Sequence, residues 1–317
     1  MSVGELLKFT RYGPLLVPGG EDLISKFLAN YGEWSFFETD FVGQQISVGA
    51  HILDVGAYVG TFSLGVSGRQ PKKIVAVEPN VAVVGLLAEN LRRNLPVDFE
   101  ILNVIAGTPG RLLERPFIAQ AGNLGSLTFV GESNENSEPI SHCDVVKEII
   151  SLSDIRHEHG DFDFVKMDIE GAERVLLESD ESWLRAARPT LWMECNETTE
   201  SLRLFEYLNH IGYSVFYFSY PSFNPNNFLG NQDRIFPVAY EAGLLALESG
   251  RIAKMTPGQS LGGCSLSAIK DVDQLRRCLW ETPRWGQERW SLLTHSGLLA
   301  ECGRLILGQK YEKFLRC

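Results

Sequence analysis

Two acids and two glycines in the first third of the chain have the types and spacing of a nucleotide site. Asp54 and then Gly56 and Gly60 follow a short apolar run, and Glu78 ends the next apolar run, 24 residues after Asp54. Glycines in a strand-to-helix turn let a ligand approach the backbone closely. An acid at the tip of the next strand accepts hydrogen bonds from both ribose hydroxyls of a nucleoside. The pattern therefore predicts a nucleoside site.

The residues of the turn indicate which kind of nucleotide or nucleoside ligand fits the site. Tyr58 occupies the place of the middle glycine in a dinucleotide fingerprint, and its bulk disfavours a pyrophosphate on the loop. No lysine follows Gly60, so the turn is not a phosphate loop either. S-adenosylmethionine, which has a ribose and no phosphate, fits better. We then expect Asp54 near the ammonium group of its methionine end.

A second group of acids follows two later strands of the predicted sheet. Lys166 and Asp168 share one face of a strand, Glu170 lies in the turn after it, and Glu194 ends the next strand. Carboxylates at strand tips lie where open α/β sheets bind their ligands, and their convergence favours perturbed pKa values or a cation. Asp168 and Glu194 are candidate general bases, with His142 in reserve.

Two other interpretations of these acids remain open. Asp168, Glu170 and Glu194 together offer the oxygen ligands that suit Mg²⁺ or Ca²⁺, and such a cation would lower the pKa of a bound hydroxyl. Alternatively, Lys166 pairs with one carboxylate and the others cap helices.

The elements that position these residues form an α/β pattern. From His51 onward, apolar runs alternate with helical periods, which predicts a mostly parallel sheet between residues 49 and 240. Residues 1–48 are expected to cover the core or the site entrance, about 111–155 to form an insertion with a hairpin, and 241–317 to form a helical extension. The predicted strands are Ile52–Val55, Ile74–Val77, Phe99–Val104, Phe164–Asp168, Thr190–Glu194, Ser214–Phe218 and Arg234–Pro237.

Composition restricts the partners and the location. The net charge of −11 disfavours a nucleic acid, whose phosphates demand a basic surface. The first nine residues lack the features of a signal peptide, and no run approaches the about 18 apolar residues of a membrane span. From these two features we expect a cytoplasmic protein. The six cysteines include no C-x-x-C pair, so we expect reduced thiols and not a disulfide or zinc framework.

The order of the motifs resembles the FkbM-type S-adenosylmethionine-dependent methyltransferases over about residues 46–238. The matching segments are Asp54–Ala57, Gly60, Phe62–Leu64, Val77–Asn80 and Asp163–Glu173. The resemblance implies a Rossmann-like class I methyltransferase fold, with a seven-stranded, mostly parallel sheet whose last strand is antiparallel. It also implies O-methylation of a hydroxyl on a sugar, a glycolipid or a polyketide-type natural product.

The resemblance also assigns roles within the site. Glu78 would hold the ribose, the Gly56–Phe62 turn would flank the methionine end, Ile105 and Ala106 would lie near adenine, and Asp168 would stand beside the methyl group and the acceptor. The expected cofactor-binding residues are Asp54, Gly56, Ala57, Tyr58, Gly60, Thr61, Phe62, Glu78, Pro79, Asn80, Ile105, Ala106 and Asp168.

The partner expected from this resemblance is a small-molecule or glycan acceptor. A homo-oligomer assembled through the C-terminal extension is a further possibility. Two other functions remain as alternatives: a cofactor-binding protein without catalysis, and a nicotinamide-dependent oxidoreductase, which Tyr58 disfavours.

Overall fold

The computed structural model describes residues 5–19, 22–112, 117–118, 127–129, 138–139, 145–235, 240–254 and 263–282. The strands are β1 Glu5–Leu7, β2 Leu15–Val17, β3 His51–Val55, β4 Lys73–Val77, β5 Asp98–Leu102, β6 Ile105–Ala106, β7 Phe117–Ile118, β8 Leu127–Thr128, β9 Glu138–Pro139, β10 Ile149–Ile150, β11 Phe164–Met167, β12 Thr190–Glu194, β13 Tyr213–Pro221, β14 Tyr240–Glu248 and β15 Ser265–Ile269. The α-helices are α1 Leu23–Tyr31, α2 Phe36–Gly43, α3 Thr61–Val66, α4 Val81–Asn94, α5 Leu152–His159, α6 Glu173–Glu178, α7 Glu181–Ala187, α8 Thr199–His210 and α9 Val272–Glu281.

Eight of the described strands form the main sheet, in the order β5-β4-β3-β11-β12-β14-β13-β15. The neighbours from β5 to β12 are parallel, whereas β14 is antiparallel to β12 and β13, and β15 is antiparallel to β13. Strand order reverses between β3 and β11. The strands that follow β3 in the chain, β4 and β5, lie on one side of it, whereas those that follow β11 lie on the other side. Open Rossmann-like sheets bind ligands at the carboxyl ends of the strands beside such a reversal.

The central strands are held rigidly because both of their faces are buried. On one face Val55, Val75 and Met167 join a core with the helices that cross over the sheet, and on the other Ile52 and Phe164 join a second core. Strands covered on both sides are expected to be nearly continuous apolar runs, as these are. The strand tips that carry the acids therefore have fixed relative positions.

The structure confirms a mostly parallel sheet and corrects its predicted composition. The sheet has eight strands among the described residues, not seven, because β15 adds a second antiparallel strand at the edge. The prediction of a strand at Arg234–Pro237 is wrong for its two described residues, 234 and 235, which are not in a strand. There the N–H of Ile235 donates to the Tyr31 hydroxyl, 2.9 Å away, instead of to a neighbouring strand.

The helical extension predicted after residue 240 is wrong for its first part. Residues 240–248 and 265–269 are strands β14 and β15, so the main sheet extends to Ile269, and α9 follows. The run Leu244–Leu247 buries alternate side chains in the two cores of the sheet, which only a strand allows. A short apolar run of this kind does not by itself distinguish a strand from a buried helix.

Smaller sheets surround the main one. β1 and β2 form an antiparallel pair in the N-terminal segment, and β6 pairs in parallel with β10. Within the predicted insertion, β7 pairs with β8 and β9. No helix in the described ranges is both long and apolar enough to cross a bilayer.

Candidate functional site

The turn after β3 brings the tips of β3 and β11 into contact. Gly56 has a left-handed backbone, with φ of +76°, and its N–H donates to the Val77 carbonyl 3.0 Å away. A Cβ atom on Gly56 would lie 2.0 Å from the Asp168 carbonyl oxygen, which is sterically impossible. Glycine is therefore required here, and its absence of a side chain places Asp168 directly beside the turn.

Glu78 projects from the tip of β4 into the same region. Its carboxylate is 5% exposed, and it accepts hydrogen bonds from the backbone N–H groups of Tyr58 at 2.9 Å and Asn80 at 2.8 Å. Burial raises the pKa of Glu78 to about 7, although the two N–H donors act to lower it. Each carboxylate oxygen takes one of these bonds and retains a second acceptor position for a ligand.

A cavity lies between Glu78, the Gly56 turn and Asp168. Its empty space measures about 690 Å³, including the part open to solvent. One wall is apolar and comes from β6, from residues around β8 and from α1. The lining residues are Ile24, Val55, Gly56, Tyr58, Val77, Glu78, Pro79, Ile105, Ala106, Leu112, Leu127, Phe129, Asp168, Ile169 and Ala172.

Lys166 contacts both strand tips, at Gly56 after β3 and at Asp168 after β11. Its ammonium group donates to the Gly56 carbonyl at 2.9 Å and lies 3.4 Å from Asp54 Oδ1 and 3.6 Å from Asp168 Oδ2. Burial acts to lower the pKa of Lys166, but the charges of Asp54, Asp168 and Glu38 outweigh it and raise the pKa above its ordinary value. Lys166 is therefore charged and holds Asp168 beside the turn.

The structure places Asp54 away from the cavity. Its carboxylate is fully buried, and it accepts a 2.7 Å hydrogen bond from the Ser63 hydroxyl besides its ion pair with Lys166. The lysine thus occupies the position next to Asp54 that the sequence suggested for a ligand ammonium group.

Further acids surround Asp168 at the tips of β11 and β12. Burial, together with the charges of Asp168 and Glu173, raises the pKa of Glu170 to about 8. Burial, with the charges of Glu170 and Asp168, raises the pKa of Glu194 well above its usual range. Asp168 differs from both because its side chain is 47% exposed and lines the cavity.

The predicted site residues divide into two groups. Seven line the cavity: Gly56, Tyr58, Glu78, Pro79, Ile105, Ala106 and Asp168. The others that are described do not line it: Asp54, Ala57, Gly60, Thr61, Phe62, Asn80, Glu170 and Glu194. His142 lies outside the described residues.

Sequence reasoning missed the walls contributed by distant segments, such as Ile24 on α1 and Phe129 after β8. No local signal marks an apolar side chain as lining a cavity instead of a core. The possible cation on Asp168, Glu170 and Glu194 is not supported, since the described residues contain no group of three or more acids, histidines or cysteines arranged to hold a metal.

A cavity at the reversal point of a Rossmann-like sheet, with an apolar wall and a buried carboxylate, is the arrangement in which α/β proteins of this class bind nucleosides. Residues 54–215 match the methyltransferase FkbM domain family. This chain therefore belongs to the FkbM methyltransferase family, and its general activity is S-adenosylmethionine-dependent methyl transfer. No curated protein matches it in sequence.

Several solved structures resemble this chain. A methyltransferase FkbM from Methylobacillus flagellatus KT is 17% identical with a TM-score of 0.42, and the match covers 72% of this chain and 55% of that one. A precorrin-6y C5,15-methyltransferase from Geobacter metallireducens GS-15 is 12% identical with a TM-score of 0.40, covering 67% and 87%. A tRNA (uracil-54, C5)-methyltransferase from Pyrococcus abyssi, in complex with S-adenosyl-L-homocysteine, is 14% identical with a TM-score of 0.37, covering 74% and 41%.

Proposed function

We propose that this protein transfers a methyl group from S-adenosylmethionine to a hydroxyl oxygen of a sugar, a glycolipid or a polyketide-type natural product. The observation that carries the proposal is the position of Asp168, a half-exposed carboxylate that lines the cavity and is held there by Lys166. The bound cofactor supplies an electrophilic methyl group. The protein must hold the acceptor oxygen close to it and remove the hydroxyl proton.

The cavity suits the nucleoside part of this cofactor. Glu78 would accept hydrogen bonds from the two ribose hydroxyls through the free acceptor position on each oxygen. Ile105, Ala106 and Phe129 give the apolar wall that a purine ring needs. Tyr58 narrows the turn where a dinucleotide would place its pyrophosphate, which favours this cofactor over a nicotinamide.

Asp168 is the best candidate for the general base. A base must reach the hydroxyl and must be free to accept a proton. Of the three acids predicted for catalysis or metal binding, Asp168 lines the cavity, whereas Glu170 and Glu194 do not. Glu194 is also less suited to the role, because burial and the neighbouring carboxylates raise its pKa well above the usual range and so disfavour its ionised form.

The chemistry beside Asp168 favours a neutral, hydroxyl-rich acceptor. Lys166 on β11 and Trp192 on β12 are paired neighbours. Asp168 and Glu194 each follow two residues later, so strand alternation places both on the same face as that pair. The charge of Glu241 also acts on Glu194. Carboxylates accept hydrogen bonds from hydroxyls and repel anions, and a protonated carboxyl group also forms hydrogen bonds with hydroxyls, so sugar-like hydroxyls suit this surface better than phosphates or carboxylates.

Cofactor binding is tested by titration calorimetry with S-adenosylhomocysteine. The wild-type protein should bind it, and the Glu78→Ala variant should bind it much more weakly, because the variant lacks the ribose acceptor. Thermal unfolding of both proteins verifies that the variant is folded. Absence of binding by the folded wild-type protein would contradict the proposal.

Catalysis is tested with methyl-labelled S-adenosylmethionine and a panel of glycan, lipid and polyketide extracts. A labelled methyl ether that resists mild alkali would identify O-methylation and exclude a methyl ester. With an acceptor identified, Asp168→Asn should reduce turnover by about a hundredfold or more without changing the affinity for S-adenosylhomocysteine. The matched control is Asp273→Asn, which changes an 82% exposed aspartate on α9 and should leave turnover intact. Wild-type turnover in Asp168→Asn would contradict its role as the base.

A further inference from the structure

The backbone of Tyr58 adopts an uncommon conformation at the cavity. Its φ is +49°, in the left-handed region that costs a non-glycine residue about 1 kcal/mol or more. In this conformation the Tyr58 N–H donates to Glu78 Oε2 at 2.9 Å. Because glycine would adopt the same backbone without this cost, the tyrosine side chain must contribute something in return.

The Tyr58 side chain is anchored at its far end. Its ring is 8% exposed, and its hydroxyl donates to Asp22 Oδ1 at 2.7 Å, although Asp22 precedes it by 36 residues. Asp22 is itself 2% exposed. A phenol that donates to a buried carboxylate makes a short, charge-assisted hydrogen bond, which is stronger than one between neutral groups.

Asp22 has a second contact that fixes its own position. Its other oxygen, Oδ2, accepts from the Ser25 N–H at 2.8 Å and from the Ser25 hydroxyl at 2.7 Å, so that Asp22 caps α1. The first turn of that helix carries Ile24, which lines the cavity. A single carboxylate therefore joins the wall of the cavity to the turn that follows β3.

We propose that Asp22 and Tyr58 form a positioning pair that holds the Glu78 carboxylate in its ligand-binding geometry and fixes α1 over the cavity. The pair does not touch the reacting atoms, and it acts through the backbone N–H of Tyr58 on one side and through Ile24 on the other. This inference rests on the proposed function, because it assigns Glu78 to the ribose of the cofactor.

Two substitutions break the link from opposite ends. Tyr58→Phe keeps the ring and removes its hydroxyl. Asp22→Ser keeps a good helix cap for α1, but the shorter side chain cannot reach Tyr58. Each variant should weaken binding of S-adenosylhomocysteine about tenfold, and the double variant should bind no more weakly than either single one, because both remove the same hydrogen bond.

The pH dependence of binding distinguishes positioning from general stability. The Tyr58 N–H favours the ionised form of Glu78, so loosening this contact should move the midpoint of S-adenosylhomocysteine binding to higher pH. Lys166 and Asp54, the charged groups that also act on Glu78, are unchanged in Tyr58→Phe. A purely structural hydrogen bond would lower the melting temperature without moving this midpoint.

Tyr12→Phe is the matched control. Like Tyr58, Tyr12 is 8% exposed and donates its hydroxyl at 2.7 Å, but to the Trp34 carbonyl and not to Asp22. Its substitution should lower thermal stability and leave both affinity and midpoint as in the wild type.

The outcomes separate the two proposals. If the wild-type protein binds S-adenosylhomocysteine but Tyr58→Phe matches it in affinity and midpoint, the positioning pair is refuted while the cofactor assignment stands. Equal losses in Tyr58→Phe and Tyr12→Phe would also refute the pair. If the wild type does not bind, the proposed function itself fails.

Discussion

Binding of S-adenosylhomocysteine should strengthen as the pH rises from 6 to 8, because Glu78 must lose a proton to accept both ribose hydroxyls. Burial raises the pKa of this carboxyl to about 7 in the free protein. About one molecule in eleven is then ionised at pH 6 and about ten in eleven at pH 8. The affinity should therefore rise about tenfold over this range, which corresponds to about 1.4 kcal/mol.

The same proton determines the sign of the effect on stability. The pKa of Glu78 is raised from 4.5, its ordinary value, to about 7 in the folded protein, so the unfolded chain releases the proton first. The free energy of unfolding therefore falls as the pH rises from 4.5 to about 7, by up to about 3 kcal/mol for 2.5 pH units at 1.36 kcal/mol each. A ligand that donates hydrogen bonds to the ionised form offsets this loss, and so raises the melting temperature more at pH 8 than at pH 6.

Calorimetric titrations at pH 6, 7 and 8 test the prediction, with two buffers of different ionisation heat to count the protons released. Glu78→Gln is the control, because it removes the titrating group and leaves Glu38 and Glu173, whose pKa values burial also raises to about 7. Binding to this variant should be weaker and nearly independent of pH. A flat wild-type profile, or a tenfold rise in the variant as well, would refute the assignment of the proton to Glu78.

Two further predictions concern stability and are measured by urea unfolding. Gly56→Ala should destabilise the protein by about 2 kcal/mol or more, because its Cβ would meet the Asp168 carbonyl. Gly85 is exposed on α4 with open space around it, so Gly85→Ala should stabilise the protein by about 0.5–1 kcal/mol. Equal effects would contradict the close approach of the two strand tips. Lys166→Met should lower the free energy of unfolding by about 3–5 kcal/mol, because it leaves Asp54 buried without its cation. Adding Asp54→Asn should recover part of that loss. A loss below about 1 kcal/mol would show that the pair is not buried as described.

The sequence by itself determined the central sheet and the turn of the site. Short apolar runs flanked by turn residues predicted β3, β4, β11 and β12, since burial on both faces of a strand requires such runs. Glu78 was correctly placed at a strand tip for the same local reason. Parallel strands then bring their carboxyl ends to one edge, so the meeting of Glu78 with Gly56 and Asp168 followed from the order of the elements.

Local patterns failed where two structures fit the same residues. The run Leu244–Leu247 suits a buried helix as well as a buried strand, and only pairing with β12 and β13 makes it β14. The sequence also could not show that residues 234 and 235, predicted to begin a strand, would instead continue the loop around Asn227 and Asn231. There an Asn227 side-chain oxygen accepts the Asn231 N–H, which turns the chain.

Only the tertiary structure decided which partner each buried acid received. Asp54 was expected to face a ligand, but Lys166 reaches it from the neighbouring strand and neutralises it inside the protein. Asp22, 36 residues before Tyr58, carried no signal of its own, yet it anchors the residue that donates to Glu78. These contacts depend on how segments far apart in sequence pack together, because the energy of a buried charge is set by the groups around it in space.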